Sequence, residues 1–470
     1  MAGLVFLWTD ILIYLLVLVI IVFIVYTRGR EHLRAPWRQV ARSRLGMCSA
    51  VILFTYIVIG LLDSVHFYPK LDRAGVNGGE LISSEVISLF DKIVLPLKNN
   101  YEKTYSAPFA IHLYAKETIE LPEGRQVRKY PRLKYGGAHL HNPDTDKLAD
   151  ILKTSIYAAI HALIAWSVLA FILIAWLACR SGKKIRHEFS EIVKGETDIP
   201  WVTILAVTGI VILCIFVSAE LSTRYHIFGT DKIGQDVFYQ ALKSIRTGLV
   251  IGTLTTLVML PFAIFLGISA GYFRGWIDDV VQYIYTTLNS IPSVLLIAAA
   301  VLMLQVYMYN HAESFTNLAS RQDLRLLFLC FILGVTNWTG LCRLLRGETL
   351  KLREVEYIQA AQAFGVDSLT IITRHILPNV LHIVLISVVL DFSSLVLAEA
   401  VLAYINIGVD PTMISWGNMI NGARLEMARE PIVWWSLAAA FIFMLGLVLS
   451  ANLFADAVRD AFDPRIRQNS

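Results

Sequence analysis

Long apolar runs are the feature that most constrains the fold of this 470-residue chain. A helix needs about 20 mostly apolar residues to cross the hydrocarbon core of a bilayer. Nine runs approach or exceed that length, at 11–26, 45–62, 154–179, 201–219, 247–272, 280–305, 326–341, 380–404 and 431–454. Charged residues make up only 17% of the chain, whereas soluble domains contain about 25%. The sequence therefore predicts an all-α polytopic membrane protein with about nine spanning helices.

The distribution of Lys and Arg predicts the orientation of these helices, because short cytoplasmic loops carry an excess of basic residues. The first connecting loop contains one acid, Glu31, and the arginines Arg28, Arg30, Arg34, Arg38, Arg42 and Arg44. This loop should be cytoplasmic, which places the N-terminus outside. Counting spans then places 180–200, 354–379 and the C-terminus inside, with the bases Arg180, Lys183, Lys184, Arg186, Arg459, Arg465 and Arg467. Because no base precedes the first apolar run, we interpret that run as a retained anchor rather than a secretory signal.

Residues 63–153 form the one long hydrophilic segment, and this orientation places them outside. Alternating apolar residues at 110–114 and turn formers at 77–79, 122–124 and 142–144 predict a small extracytoplasmic α+β insertion. The predicted organisation is 1–62 (two spans and the Arg-rich cytoplasmic loop), 63–153 (the insertion), 154–219 (spans three and four) and 220–470 (the remaining core, with a polar loop at 350–378).

The polar loop at 350–378 predicts a short amphipathic helix between two spans. The acids Glu354 and Glu356 suit the positive end of a helix, and Gly365 is a typical helix stop. One apolar face is predicted from the residues at every third position, Leu352, Val355, Ile358 and Ala361. The small pair Ala360-Ala361 would allow close approach by a partner, and Pro378 begins the next span. Such a helix can insert into a groove of another protein; the alternative is an ordinary interfacial helix.

This loop resembles the coupling loop of ABC importer permeases, whose pattern is matched here by Ala360-Ala361, Gly365 and Leu377-Pro378. Six further segments resemble the C-type subunit of the dipeptide/oligopeptide/nickel branch: 228–237, 267–276, 291–293, 397–400, 415–419 and 452–465. The first of these contains the outer-loop signature residues Asp231, Gly234 and Asp236. Two positions depart from the family pattern. Gln359 replaces the family's coupling acid, and His375 stands where the wider superfamily commonly has an aliphatic residue.

The resemblance implies the transmembrane domain of a type I ABC importer, specifically a permease subunit that carries short peptides across the bacterial inner membrane. The implied partners are a second homologous permease subunit in a heterodimer, two ATP-binding subunits, an extracytoplasmic substrate-binding protein and membrane lipid, without nucleic acid. The resemblance implies coupling through 354–366 and an ATPase-coupling set of Glu354, Glu356, Tyr357, Gln359, Ala360, Ala361, Phe364, Gly365, Leu377 and Pro378.

Catalysis is not expected from this chain, because it contains no Gly-x-x-x-x-Gly-Lys-Ser/Thr nucleotide site and no arranged nucleophile. No cofactor, metal or catalytic residue is predicted for it, and ATP and Mg²⁺ should bind the partner subunits. The five cysteines lie in or beside apolar runs, and His139 and His141 are favoured as part of a plain surface strand over a metal site. Arg343 and Arg346 are interpreted as snorkelling anchors, with contact to the partner subunits as the alternative.

Three residues at membrane depth are candidates for the translocation path: Pro292, where a kink in the sixth span is expected, Asp391 and Glu399. The alternatives are simple packing at Pro292, pairing of Asp391 with a neighbouring helix, and an outer helix-end acid at Glu399. The sequence as a whole also leaves other functions open. The chain could be the permease of an importer for nickel or another small solute, or a secondary carrier that uses Asp391 and Glu399. A further alternative is a membrane enzyme or sensor whose insertion performs the function.

Overall fold

The computed structural model describes residues 4–28, 31–74, 80–82, 86–120, 126–311, 313 and 318–462. The turns predicted at 77–79 and 122–124, and the bases Arg30, Arg465 and Arg467, lie outside these ranges. The helices are α1 (Trp8–Arg28), α2 (Glu31–Arg42), α3 (Arg44–Asp63), α4 (Leu89–Ile93), α5 (Leu95–Asn99), α6 (Pro143–Ser181), α7 (Ile185–Lys194), α8 (Trp201–Ser222), α9 (Val237–Phe273), α10 (Gly275–Ser290), α11 (Ser293–Asn310), α12 (Leu318–Arg353), α13 (Glu356–Ala363), α14 (Ser368–Ile371), α15 (Leu377–Tyr404), α16 (Trp416–Glu426) and α17 (Trp435–Phe462). A π-helical turn, Ile372–Ile376, joins α14 to α15.

Short strands occur near the N-terminus and in the insertion. They are β1 (Leu4–Val5), β2 (His66–Phe67), β3 (Lys70–Ala74), β4 (Glu80–Ile82), β5 (Ile87–Ser88), β6 (Glu117–Glu120) and β7 (Gln126–Lys129). They pair antiparallel as β1-β2-β5, β3-β4 and β6-β7. Together with α4 and α5 they confirm the predicted α+β character of the insertion.

Within the described residues, eight helices are long and apolar enough to cross a membrane: α3, α6, α8, α9, α11, α12, the continuous segment Ser368–Tyr404, and α17. The first predicted span lies in α1, whose apolar part, Trp8–Val22, is shorter than these eight. The prediction of an all-α polytopic membrane protein is confirmed, with eight candidate spans among the described residues where about nine were predicted.

The predicted start of the sixth span, 280–305, is wrong, because the candidate span in this region begins at Ser293. The chain breaks at Ile291-Pro292 into α10 and α11, and only α11 is among the candidate spans. Proline has no N–H to continue a helix and pushes the preceding residue out of the helical region. Ile291 accordingly has an extended conformation, with φ −92° and ψ 127°. Pro292 therefore separates two helices instead of kinking one.

Two expected strands in the insertion are also wrong. Segment 110–114 contributes one isolated bridge, between His112 and Arg132. The two hydrogen bonds of this bridge run from the N–H of Leu113 to the carbonyl of Pro131 and from the N–H of Leu133 to that of Ile111, both at 2.8 Å. The N–H of Tyr114 donates to the carbonyl of Tyr105 instead, so the bridge does not extend into a strand. Residues 139–141 form the end of a turn and a bend instead of a strand, and His139 Nε2 lies 2.8 Å from a carboxylate oxygen of Asp150.

The described residues form two compact units. The first comprises 4–5, 38–246 and 414–454, and so contains the insertion and the candidate spans α3, α6 and α8. Within it α6 packs along α8, and α8 along α3. Buried indoles fix its interior: Trp435 donates to the carbonyl of Thr230 at 2.9 Å, and Trp416 donates to that of Ala241 at 3.0 Å.

The second unit comprises 6–37, 247–413 and 455–462. Within it, α1 lies against α12. The Asp323 carboxylate of α12 accepts from the backbone N–H groups of Trp8 at 2.8 Å and Thr9 at 3.3 Å. These are the first N–H groups of α1, which have no partner within their own helix. Asp323 thereby caps α1 from another part of the chain.

Candidate functional site

The helix predicted in the polar loop is α13, and its base is buried. Ile358 is fully buried and lies in one apolar cluster with Cys342 and Leu345 of α12 and Ile376 and Val380 at the start of the following span. Leu352 and Ala361 pack against the same cluster. The predicted apolar face therefore attaches α13 to the ends of two long helices.

The start of α13 differs from the prediction at Glu354. Glu356 is in the first turn, but Glu354 precedes the N-cap residue, Val355. The Glu354 carboxylate instead accepts from Arg274 Nη2 at 2.5 Å. Gln359 Nε2 donates to the other carboxylate oxygen of Glu354 at 3.4 Å. A carboxylate therefore lies beside Gln359 although position 359 itself is neutral.

The end of α13 follows the prediction for Gly365. Gly365 has φ +76°, a conformation that favours glycine. Its N–H donates to the carbonyl of Gln362 at 3.0 Å, and the N–H of Val366 donates to that of Ala361 at 3.1 Å. These two bonds form a Schellman motif, which satisfies the last carbonyls of the helix.

Replacing Gly365 should loosen this end of α13. A Cβ at this position would meet no atom within 4 Å, so the cost of Gly365→Ala is purely conformational, about 1–2 kcal/mol. We expect hydrogen exchange of the Val366 amide to accelerate by roughly tenfold, measured by mass spectrometry on the purified transporter. Gly365→Asn is the matched control, because asparagine tolerates this conformation better, and it should show a smaller acceleration. Equal exchange in both variants would contradict this account.

The outward surface of α13 combines polar groups with exposed apolar side chains. Glu356, Gln359 and Ala360 are exposed, and Phe364 is 87% exposed. Tyr357 is 45% exposed, and its hydroxyl accepts from Asn379 Nδ2 at 3.0 Å, which links α13 to α15. We call the surface formed by Glu356, Tyr357, Gln359, Ala360 and Phe364 the α13 surface.

The Leu377-Pro378 pair begins α15, as predicted. Leu377 packs against the apolar cluster beneath α13, whereas Pro378 is exposed. Proline fits the first turn of a helix because an N–H there has no helical partner in any case. The pair thus fixes where the loop ends and the span begins.

The candidates for the translocation path are dispersed. Asp391 and Glu399 lie on α15 eight residues apart, about 12 Å along a helix axis. Asp391 is half-buried and Glu399 is buried. Pro292 lines a cavity of about 190 Å³ with Asn289 and Thr336, at the break between α10 and α11.

Arg346, interpreted from the sequence as a snorkelling anchor, is paired with an acidic side chain of another helix. Its guanidinium makes a bidentate ion pair with Asp278 of α10, at 2.5 Å and 2.7 Å. The hydrogen bond and charge of Arg346 hold the pKa of Asp278 below its usual value. Arg343 is exposed and lies 6.0 Å from the ring centroid of Tyr285.

The three residues of the outer-loop signature shape the turn before α9. Asp231 accepts from the backbone N–H groups of Ile233 and Gln235, both at 2.9 Å. Gly234 has φ +81°, and a Cβ on it would lie 1.8 Å from the carbonyl oxygen of Glu102. Its own carbonyl accepts from the N–H of Glu102 at 2.9 Å. The turn therefore lies directly against the backbone of the insertion.

Asp236 belongs to a buried charge cluster that the sequence did not reveal. Its carboxylate accepts from the N–H of Phe238 at 2.8 Å at the start of α9, and it bonds to His226 Nδ1 at 2.6 Å. The other ring nitrogen of His226 lies 3.4 Å from Glu102 Oε1. Side chains of all three are at most 4% exposed. We call Glu102, His226 and Asp236 the carboxylate–histidine cluster.

Charge in this cluster is balanced by hydrogen bonds. Glu102 also accepts from the backbone N–H groups of Lys134, Tyr135 and Gly136, at 2.8 Å, 2.8 Å and 3.1 Å. Burial disfavours its carboxylate, but the bonds from His226 and from these N–H groups lower the pKa of Glu102 to about 2. Burial likewise opposes the imidazolium, but the bonds to Asp236 and Glu102 raise the pKa of His226 to about 9. The histidine is therefore charged at neutral pH.

The long apolar helices define a polytopic membrane protein in which the short helix α13 is held between two of the long helices. The family described as "Binding-protein-dependent transport system inner membrane component" matches residues 263–468. The chain belongs to this family of ABC importer permeases, as the resemblance predicted.

Curated relatives agree with this assignment. The chain is 32% identical over 242 residues to the oligopeptide transport system permease protein OppC of Mycobacterium tuberculosis (strain ATCC 25618 / H37Rv), covering 52% of this chain and 77% of the relative. It is 29% identical over 297 residues to the dipeptide transport system permease protein DppC of Alkalihalophilus pseudofirmus, and the match covers 60% of this chain and 90% of the relative. It is 31% identical over 244 residues to the glutathione transport system permease protein GsiD of Pectobacterium atrosepticum, and the match covers 52% of this chain and 73% of the relative.

Proposed function

We propose that this chain is the permease subunit of an ATP-driven importer that translocates short peptides across the bacterial inner membrane. The main observation that supports this proposal is the α13 surface, where Phe364, at the C-cap of α13, is 87% exposed while Ile358 on the inner side of the helix is fully buried. Exposed aromatic side chains on rigid supports are typical anchors of protein–protein interfaces. The relatives are named as permeases for dipeptides, oligopeptides and glutathione, which supports short peptides as the cargo.

The proposed partners follow the organisation of the family. A second, homologous permease would complete the pathway, two ATP-binding subunits would dock from the cytoplasm, and an extracytoplasmic binding protein would deliver substrate. ATP and Mg²⁺ would bind the ATP-binding subunits, and this chain would perform no chemistry of its own. The N-terminus would lie outside and the C-terminus in the cytoplasm, in accord with the arginines between α1 and α3.

Coupling would be mechanical, through the contacts that hold α13. Ile358 fixes α13 to the cluster that contains the ends of α12 and α15, and the Tyr357–Asn379 hydrogen bond adds a second link to α15. A displacement of α13 by the ATP-binding subunits would therefore move both long helices together. Rigid-body motion of this kind is a common way to alternate access.

Cross-linking tests this proposal. The exposed residues Gln359 and Ala363 can each be replaced by cysteine after the exposed Cys179 and Cys214 have been changed to serine. We expect disulfide or short-linker cross-links to the co-expressed ATP-binding subunit from both positions. Lys116→Cys is the control, since Lys116 is exposed on the insertion and would face the other side of the membrane. Cross-links from Lys116 to the ATP-binding subunit would contradict the proposed orientation.

Two outcomes would overturn the proposal itself. If the transporter is assembled and active but neither Gln359→Cys nor Ala363→Cys cross-links to the ATP-binding subunit, α13 does not couple the two subunits. Uptake that continues after the ATP-binding subunit is inactivated would instead favour the secondary carrier that uses Asp391 and Glu399.

A further inference from the structure

A cavity of about 450 Å³ lies between α11, the N-terminal part of α12 and the loop after α15. Its volume is within the range of small-molecule sites, about 300–1,000 Å³. Arg321, Arg325 and Asp410 provide its charged lining, and Gln305 and Tyr309 provide further polar groups. In the proposed orientation this cavity opens at the outer ends of α11 and α12, where substrate would arrive.

Positive charge exceeds negative charge in this cavity. The guanidinium groups of Arg321 and Arg325 lie 3.6 Å and 3.7 Å from the single carboxylate of Asp410. Asp410 is already engaged, because it accepts from the backbone N–H and the hydroxyl of Thr412 at 3.0 Å and 2.6 Å. The nearby acid of α12, Asp323, binds the start of α1 instead. One carboxylate thus serves two arginines.

Arg325 has unused donor capacity although it is buried. Its side chain is only 8% exposed. With the amide oxygen of Gln305 turned toward it, Nη1 and Nη2 donate to that oxygen at 3.2 Å and 2.9 Å. Nη2 also donates to the carbonyl of Gly408 at 3.4 Å. Within the described residues its Nε has no hydrogen-bond partner. Burying a guanidinium is costly unless its donors are matched, and planar carboxylates match them best.

We propose that this cavity binds the terminal carboxylate of the peptide that the transporter carries, with Arg325 as the principal ligand and Arg321 at the rim. The proposal rests on the proposed function of the chain. A free carboxylate is the group that short peptides share whatever their side chains are. A cation at the outer mouth can therefore hold any such peptide without selecting among sequences, and Asp410 keeps the attraction weak enough for release.

Uptake of two peptides that differ only in this group tests the proposal. The substrates are trialanine and trialanine carboxamide, each supplied at a concentration that saturates the binding protein, in proteoliposomes containing the complete transporter. The readout is the ratio of the initial uptake rate of the acid to that of the amide. Arg325→Gln should lower this ratio by on the order of tenfold, the loss expected for one charge-assisted hydrogen bond.

A second variant, for which the uptake ratio should rise instead of fall, distinguishes loss of carboxylate binding from misfolding. Asn at position 410 can still accept from the Thr412 N–H but no longer competes for the arginines, so Asp410→Asn should raise the ratio by about threefold. Arg186→Gln, which removes an exposed arginine of α7, should leave the ratio unchanged. An unchanged ratio in both cavity variants, with normal assembly, overturns the proposal. A wild-type transporter that imports neither peptide overturns the proposed function instead.

Discussion

Phe364→Ala should lower ATP-dependent peptide uptake by roughly 30-fold while leaving the fold intact. Because the side chain is 87% exposed, its loss should change the stability of this chain by less than about 0.5 kcal/mol. Buried in a groove of the ATP-binding subunit, however, an aromatic anchor contributes about 2 kcal/mol or more. That corresponds to about 30-fold weaker docking. Uptake into proteoliposomes and co-purification of the ATP-binding subunit measure the two consequences.

Two further variants separate docking from folding. Phe189 is 53% exposed on α7, outside the residues that match the family, so Phe189→Ala should leave both uptake and co-purification unchanged. Ile358→Ala removes a fully buried side chain and should destabilise the base of α13 by about 2–5 kcal/mol. Normal uptake by the Phe364 variant would show that the α13 surface does not couple the two subunits.

The spans and α13 could be predicted because a local sequence pattern indicates each of them. Apolar runs of spanning length predicted the long helices, and Gly365 predicted the end of α13, where the chain has φ +76°. Boundaries were less predictable, since they depend on competition between neighbouring signals. Pro292 lies between the end of α10 and the start of α11. Glu354 precedes α13, and its carboxylate pairs with Arg274 instead of lying in the first turn.

The buried charges could not be predicted, because their partners are distant in sequence. Glu102 and His226 are separated by 124 positions, and Arg346 and Asp278 by 68. Nothing local distinguishes Glu102 from the exposed acids of the insertion. Arg325 is a similar case: a base at the end of an apolar run suggests an anchor, and only the fold brings it to Asp410. Pairing of this kind requires the three-dimensional structure.

Glu102→Gln should destabilise the first unit by about 2–3 kcal/mol, because a neutral amide accepts hydrogen bonds less strongly than a carboxylate. The change removes one of the two carboxylates that face the imidazolium of His226, whose charge Asp236 still balances. The turn at 134–136 would also lose the charge-assisted character of three hydrogen bonds. Limited trypsin digestion of the insertion and thermal unfolding of the purified transporter measure the loss. Glu117→Gln is the matched control, because Glu117 pairs with Lys103, which is 71% exposed, and such pairs contribute at most about 1 kcal/mol.

The pH dependence of stability distinguishes this cluster from ordinary packing. The pKa of His226 is raised from 6.5 to about 9, so its contribution is complete below pH 6.5 and is lost as the pH rises through 9. The full loss is on the order of 3 kcal/mol, because each pKa unit corresponds to about 1.4 kcal/mol. The pKa of Glu102 is lowered from 4.5 to about 2, so its contribution is present above pH 4.5 and is lost as the pH falls toward 2. Unfolding temperatures measured from pH 6.5 to 9.5 should therefore decline in the wild type and stay nearly level in His226→Gln. An equal decline in both would mean that another group titrates and that this histidine does not hold the insertion in place.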